Sequence, residues 1–187
     1  MSKVIMMCGV CGSGKTTYAK KKEKEGYIRL SIDEEMWKLH GKKEVDYPDS
    51  QYEELSEKIE AALRKKMLGL IKNGENIILD FSFWNKESRD YYKKIITNAG
   101  GTVELIYLKA SKETLKKRLR QRNLSLHANS PFVITDEILE HHYNGFQEPH
   151  GEGEIVLVQQ SHGFTKVCKE LGIYKVIIYC HIFPFSL

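Results

Sequence analysis

The sequence predicts an α/β fold of three layers, with helices on both faces of a mainly parallel five-stranded sheet, and three observations point to it. Short apolar runs alternate with helix-like segments along most of the chain. The first run, Val4 to Met7, leads into residues Gly9 to Thr16, which read GVCGSGKT and fit the pattern G-x-x-x-x-G-K-[ST]. Acidic residues, Asp33 and Asp80, close the second and third runs, and in an open parallel sheet ligands gather at the carboxyl ends of the strands.

Taken in order, Val4 to Met7 is short enough for a buried strand, and Lys15 to Glu25 follows as the first helix. Tyr27 to Ile32 reads as the second strand, and Asp33 is expected to cap a helix through His40. A polar stretch from Gly41 to Asp46 intervenes. From Asp49 to Lys72 the residues Leu55, Ile59, Ala62, Leu63, Leu70 and Ile71 recur at helical spacing, with Asn73-Gly74 as the stop. Asn76 to Phe81 is the third strand, Asn85 caps a helix to Ala99, and Val103 to Leu108 is the fourth strand after a Gly-Gly turn. Ser111 caps a basic helix reaching Arg122, Thr135 opens a helix through Tyr143, and Ile155 to Val158 supplies the fifth strand. The tail holds one further apolar run, Val176 to Phe185, which suits a terminal strand or an association surface.

The glycine-rich loop carries the first chemistry. Its glycines let consecutive backbone N–H groups from Gly12 to Thr16 converge on one anion, aided by the positive end of the following helix. Gly9, Cys11, Gly12, Ser13, Gly14, Lys15, Thr16 and Thr17 are therefore the candidate ATP-phosphate ligands. Lys15 would reach the β- and γ-phosphates, and the Thr16 hydroxyl would ligate Mg²⁺. Phosphoryl transfer to an alcohol also needs a carboxylate near the attacking hydroxyl, and Asp33 is the candidate. A carboxylate used as a helix cap is a poorer base, so the two roles of Asp33 compete. Asp80 is placed near the metal or the acceptor, or else beside a structural Lys or Arg. Ser82, Phe83 and Trp84 follow on the same loop, with Ser82 and Trp84 as candidate acceptor contacts. In the run Lys116, Lys117, Arg118, Arg120 and Arg122, the residues Arg118 and Arg122 are four apart and share a helix face. The irregular segment after them suits a mobile lid over about 118–134 that delivers an arginine to the transferring phosphoryl group.

Composition bounds the rest. The chain has 187 residues, 29 Lys and Arg against 25 Asp and Glu, and a net charge of +4, a balance compatible with an anionic ligand and not a signature of nucleic-acid binding. Cys8, Cys11, Cys168 and Cys180 lack C-x-x-C spacing and read as reduced thiols, with Cys11 singled out because it lies at a helix N-terminus near Lys15. His141 and His142 show no metal spacing. No apolar stretch approaches the roughly 18 residues of a membrane span, and Met1 to Met7 is too short for a secretory signal, so a cytoplasmic location is expected.

Over about Lys3 to Glu154 the chain resembles the small P-loop kinases related to polynucleotide kinase, zeta toxin and chloramphenicol phosphotransferase, above all an uncharacterised bacterial group of kinases. The resemblance rests on Gly9 to Thr17, on Leu30-Ser31-Ile32-Asp33-Glu34, on Leu79-Asp80-Phe81-Ser82-Phe83-Trp84 followed by Arg89, on Arg118 and Arg122-Asn123, and on Phe146-Gln147-Glu148-Pro149. It implies a P-loop NTPase fold, nucleoside-kinase-like, with an arginine-bearing lid. It also implies that the position of Asp33 is the general base and that the Arg118/Arg122 region belongs to the lid. Polynucleotide kinases carry an arginine three residues after that aspartate, where this chain has Met36. That departure favours a small-molecule acceptor over a nucleic-acid end.

The sequence thus predicts a P-loop kinase domain over 1–160 and an extension over 161–187. It predicts an ATP- and Mg²⁺-dependent phosphotransferase using Lys15, Asp33, Arg118 and Arg122. The rivals are a regulatory nucleotide-binding ATPase, a polynucleotide 5′-hydroxyl kinase, and a GTPase. The last would need Asn-Lys-x-Asp, and Asn85-Lys86-Glu87-Ser88 lacks the aspartate.

Overall fold

The computed structural model of the protein describes residues 1–43, 45–124, 128, 132–160, 163–170 and 173–179, with side chains described as far as residue 159. The chain alternates β1 (Lys3–Cys8), α1 (Lys15–Lys24), β2 (Ile28–Leu30), α2 (Ile32–His40), a 3₁₀ turn (Asp49–Gln51) and α3 (Tyr52–Lys72). It continues with β3 (Ile77–Leu79), α4 (Lys86–Asn98), β4 (Thr102–Ala110), α5 (Lys112–Arg122), α6 (Asp136–Gly145) and β5 (Glu154–Gln160). Two further strands, β6 (Gly163–Glu170) and β7 (Ile173–Tyr179), follow.

The strand order is β2-β3-β1-β4-β5-β6-β7. The first five strands pair in parallel, as expected, and β6 and β7 add two antiparallel strands beyond β5, so the sheet has seven strands instead of five. The apolar run expected over Val176 to Phe185 contributes to β7 up to Tyr179, and its remainder lies outside the described residues. β1 is central, flanked by β3 and β4, with β2 and β3 laid down on one side before β4 and β5 are added on the other. The carboxyl end of β1 is therefore the switch point where a ligand crevice opens.

Alternation along β1 sends Val4, Met6 and Cys8 to one face and Ile5 and Met7 to the other. The first set packs with Ile59, Leu63 and Met67 of α3 and with Tyr92 and Ile96 of α4, while the second packs with Ala19 of α1. Every one of these β1 residues is fully buried, as a parallel sheet covered on both faces requires. A third cluster, Leu115 and Leu119 of α5 with Ile134 and Leu139, ties α5 to α6 and reaches the loop after β1 through Val10 and Cys11.

Three expectations change. The second strand ends at Leu30, because Ser31 is the N-cap of α2 and its Oγ accepts from the Glu34 N–H at 3.4 Å. Asp33 is consequently not the cap but the second residue of the helix. The long third helix begins at Tyr52 after a 3₁₀ turn, which the Pro48 before it favours. Among the described residues no helix is long and apolar enough to cross a membrane.

Candidate active site

The loop between β1 and α1 is shaped by its glycines. A Cβ on Gly9, at φ +145°, would lie 2.8 Å from both the Leu108 carbonyl oxygen and the Ser13 Oγ, so only glycine fits without displacement of β4. Gly14 takes φ 97° as the N-cap of α1 and makes no side-chain cap. The first intrahelical bond runs from the Tyr18 N–H to the Gly14 carbonyl at 3.0 Å. The amides of Lys15, Thr16 and Thr17 precede it, have no acceptor within the helix, and form an anion cradle at the positive end of α1. Ser13 departs from the expected series, because its N–H donates to the Val10 carbonyl at 3.1 Å, while its buried Oγ has no partner.

Lys15 Nζ donates to the Gly9 carbonyl at 2.8 Å and to the Val10 carbonyl at 3.2 Å, arching over the loop. Burial holds its pKa below the ordinary value, opposed by the charges of Asp80 and Asp33. The side chain of Thr17 is exposed. Cys11 Sγ lies 3.5 Å from the Nδ1 of His142 on α6, a contact the sequence did not announce. Burial pushes the Cys11 thiol up, against the pull of Lys15 and Arg122, so its place near a helix N-terminus does not lower it. Cys8 and Cys11 are both free thiols.

Asp80 stands immediately past β3 with its side chain 3% exposed. Its Oδ1 accepts from Thr16 Oγ1 at 3.3 Å, and its Oδ2 accepts from Arg29 Nη1 at 2.8 Å. Arg29, on β2 and 2% exposed, also pairs with Glu34 and with Glu23. Both sequence-level readings of Asp80 are thereby joined, because one oxygen meets Thr16 and the other satisfies a buried arginine. A hydroxyl and a carboxylate are hard oxygen donors of the kind Mg²⁺ accepts when phosphates and waters complete its octahedron. Burial raises the Asp80 pKa, and Arg29 and Lys15 oppose the rise.

Asp33, freed from capping by Ser31, lies at the start of α2, just past the carboxyl end of β2. Its charged neighbours are Asp80, Lys15, Arg122 and Arg29. Burial and then the negative charge of Asp80 raise its pKa, which makes it a stronger proton acceptor than an exposed aspartate.

The basic cluster on α5 divides. Lys116 Nζ and Arg120 Nη2 both lie 3.2 Å from Asp136 and form the solvated face. Arg118 and Arg122 lie on the other side. Arg118 Nη1 donates to the Gln159 Oε1 at 3.1 Å and to the Ser13 carbonyl at 3.4 Å, behind the phosphate loop. Arg122 is within electrostatic reach of Cys11 and Asp33, and its buried Nε has no hydrogen-bond partner. The helical part of the expected lid segment runs to Arg122 in α5, and of the remainder residues 125–127 and 129–131 lie outside the described residues.

Ser82 and Trp84 are both exposed, with Trp84 at 53%. The loop between them takes a left-handed turn at Phe83, φ 41°, a conformation unusual for an aromatic residue. Arg89 holds it there. This arginine is 1% exposed, donates to the Phe83 carbonyl at 3.1 Å and the Gln147 carbonyl at 2.8 Å, and grips Glu152 in a two-pronged ion pair at 2.7 and 2.9 Å. The Gln147 N–H in turn donates to the Trp84 carbonyl at 2.9 Å. The blocks around Arg89 and Phe146–Pro149 therefore fasten the loop after β3 to the segment before β5. Asn85 is the N-cap of α4, accepting from the Ser88 N–H at 2.7 Å, so the near match to a guanine-reading motif is a helix start.

With this geometry in hand, a family model described as AAA domain matches residues 4–149. The chain belongs to that family. A search of curated protein sequences finds no match. Among solved structures the fold is similar to a gluconokinase from Sinorhizobium meliloti 1021, at 18% identity and TM-score 0.57, over 83% of this chain and 82% of that one. It is similar to a chain of the Pnkp1/Rnl/Hen1 RNA repair complex, at 21% identity and TM-score 0.63, over 77% of this chain but only 43% of that one. It is also similar to Kti12 from Chaetomium thermophilum in complex with ADP-AlF3, at 16% identity and TM-score 0.53, over 83% of this chain and 88% of that one. These likenesses establish a P-loop kinase-like fold shared with proteins of several activities, in line with the resemblance to small P-loop kinases.

Proposed function

We propose that the protein is an ATP-dependent phosphotransferase that moves the γ-phosphoryl group to a hydroxyl of a small-molecule acceptor in the cytoplasm. The observation that carries this reading is Asp33, a carboxylate near the start of α2 that is not used as its cap and lies within electrostatic reach of Lys15 and Arg122. The loop amides with Lys15 hold the triphosphate, and Thr16 with Asp80 would hold Mg²⁺, which would neutralise charge on the phosphates. Asp33 accepts the proton of the acceptor hydroxyl. The hydroxyl oxygen forms its bond to the γ-phosphorus, the bond from that phosphorus to the β–γ bridging oxygen breaks, and the electron pair departs with ADP. Arg122, whose buried Nε is unpartnered, supplies a donor to the phosphoryl group in flight, a contribution on the order of 10³-fold or more in other phosphoryl-transfer sites. Arg118 braces the loop from behind. In this reading the kinase unit spans 1–160, residues about 118–134 close over the nucleotide, and 161–187 form an extension.

A screen of hydroxyl acceptors with γ-labelled ATP tests the reading. Label appearing on a sugar, cyclitol, nucleoside, aminoglycoside or oligonucleotide 5′ end supports transfer. Tight ATP binding with no labelled product from any of them favours the regulatory module instead.

A further inference from the structure

A buried arginine joins the strand and helix ends that carry the two carboxylates of the site. The Arg29 side chain, in the middle of β2, is 2% exposed and meets acidic partners from three elements. Its Nη1 lies 2.8 Å from Asp80 Oδ2, its Nε lies 3.5 Å from Glu23 of α1, and its Nη2 pairs with Glu34 of α2.

One end of this connection is fixed by the sheet. Leu30 of β2 pairs with Leu79 of β3, and the Asp80 N–H extends the pairing by donating to the Leu30 carbonyl at 2.8 Å. Arg29 and Asp80 are both shielded from water, so their attraction is little screened and the guanidinium is held in place. The other end grips the first turn of α2 through Glu34, the residue that follows Asp33. Two contacts converge on Glu34. Its N–H donates to the Ser31 cap at 3.4 Å, a long hydrogen bond, and its carboxylate pairs with Arg29. Glu34 is itself half-exposed, at 47%, so its side chain is no part of the core.

We propose that Glu34 is a positioning residue, whose pair with Arg29 straps the first turn of α2 to Asp80 and so sets where Asp33 stands relative to the metal-side carboxylate. The inference rests on the phosphotransferase reading and goes beyond it, because that reading asks only that Asp33 be present. A general base works within hydrogen-bond reach of the proton it takes, and a misplacement of about 1 Å can cost up to about 10²-fold in rate. Glu34 acts through Asp33 and makes no contact of its own with the reacting atoms.

The test is a double-mutant cycle on the full chain, with γ-labelled ATP and the acceptor that the screen yields. Glu34→Ala and Glu34→Gln are each made in the wild type and in Asp33→Asn, and Arg29 is left in place because removing it would also strip Asp80 of its partner. Calorimetric ATP stoichiometry counts the folded sites, and kcat is expressed per folded site, so partial misfolding does not blur the result. Glu34→Ala should lower kcat about tenfold with the KM for ATP within about threefold. Glu34→Gln, whose amide oxygen can still accept from Arg29, should stay within about threefold of wild type. In the Asp33→Asn background Glu34→Ala should lower kcat by less than about twofold more, because no base remains to be misplaced. An unchanged kcat in Glu34→Ala, or the same tenfold loss in both backgrounds, overturns the inference and leaves the phosphotransferase reading intact. No transfer to any acceptor despite bound ATP, or full-rate transfer by Asp33→Asn, overturns that reading and this inference with it.

Discussion

Replacing Arg89 by Met should unfasten the loop that follows β3, and the structure sets the size of the effect. The guanidinium and the Glu152 carboxylate are 1% and 5% exposed, so solvent screens their attraction little. The Arg89 hydrogen bonds, with a smaller share from Lys93, hold the Glu152 carboxyl at about 2, against its ordinary 4.5. That displacement corresponds to about 3 kcal/mol in favour of the folded state at neutral pH. Lys93 remains beside Glu152 at 3.2 Å, so the loss on removing Arg89 belongs near the lower end of the roughly 3–5 kcal/mol seen when one partner of a buried pair is deleted. The pH dependence has a definite sign. Above about 4.5 the carboxylate is ionised in both folded and unfolded chains and the pair contributes fully. As pH falls from about 4.5 towards about 2 the unfolded chain takes up the proton first, and the contribution disappears. Urea unfolding of wild type and Arg89→Met across pH 7 to 3 reads both quantities. The expected difference is about 3 kcal/mol at pH 7, shrinking steadily below pH 4.5. A difference under about 0.5 kcal/mol at pH 7, the scale of a surface substitution, would refute the reasoning, as would one that does not change with pH.

Three further outcomes follow from the site. Ser31→Ala should cost about 1 kcal/mol of stability by removing the α2 cap, whereas Asp33→Asn should cost little or even stabilise, because burial already disfavours the Asp33 charge; thermal melts compare them. Arg122→Ala should lower kcat by about 10³ with nucleotide affinity nearly kept, while Arg118→Ala should act mainly on the KM for ATP, as initial rates at varied ATP would show. Asp80→Asn should weaken the Mg²⁺ dependence of the reaction and also destabilise the fold, since it leaves the buried Arg29 with less opposing charge; magnesium titration and urea unfolding separate the two effects.

The parallel sheet and its helices were legible because the signals are local. The apolar run before Gly9, the caps at Asn85, Ser111 and Thr135, and the alternation of strands with helices each follow from short-range preferences. The cap of α2 was misplaced by two residues because Ser31-Ile32-Asp33 offers two capping side chains and only the backbone angles decide between them; Ser31 is extended, at φ −137°. Contacts across the sheet were not legible. Arg29 reads as an ordinary strand residue until β2 is placed beside β3, where Leu30 pairs with Leu79 and the Arg29 guanidinium meets Asp80. Arg89 and Glu152 are far apart in sequence, and a charged residue on a helix usually faces solvent. Of the two extra strands, β7 matches one reading of the apolar run that begins at Val176, whereas in β6, Gly163–Glu170, the residues Thr165, Lys166, Lys169 and Glu170 break up the apolar signal.

The central claim is tested most directly by Asp33→Asn, measured for ATP binding by calorimetry and for phosphoryl transfer to whichever acceptor the screen yields. The account predicts ATP affinity within about threefold of wild type and a kcat lower by about 10² or more, the scale of a lost general base. Transfer at an unchanged rate with Asn at position 33 would contradict it, because the carboxylate within electrostatic reach of Lys15 would then have no part in the reaction.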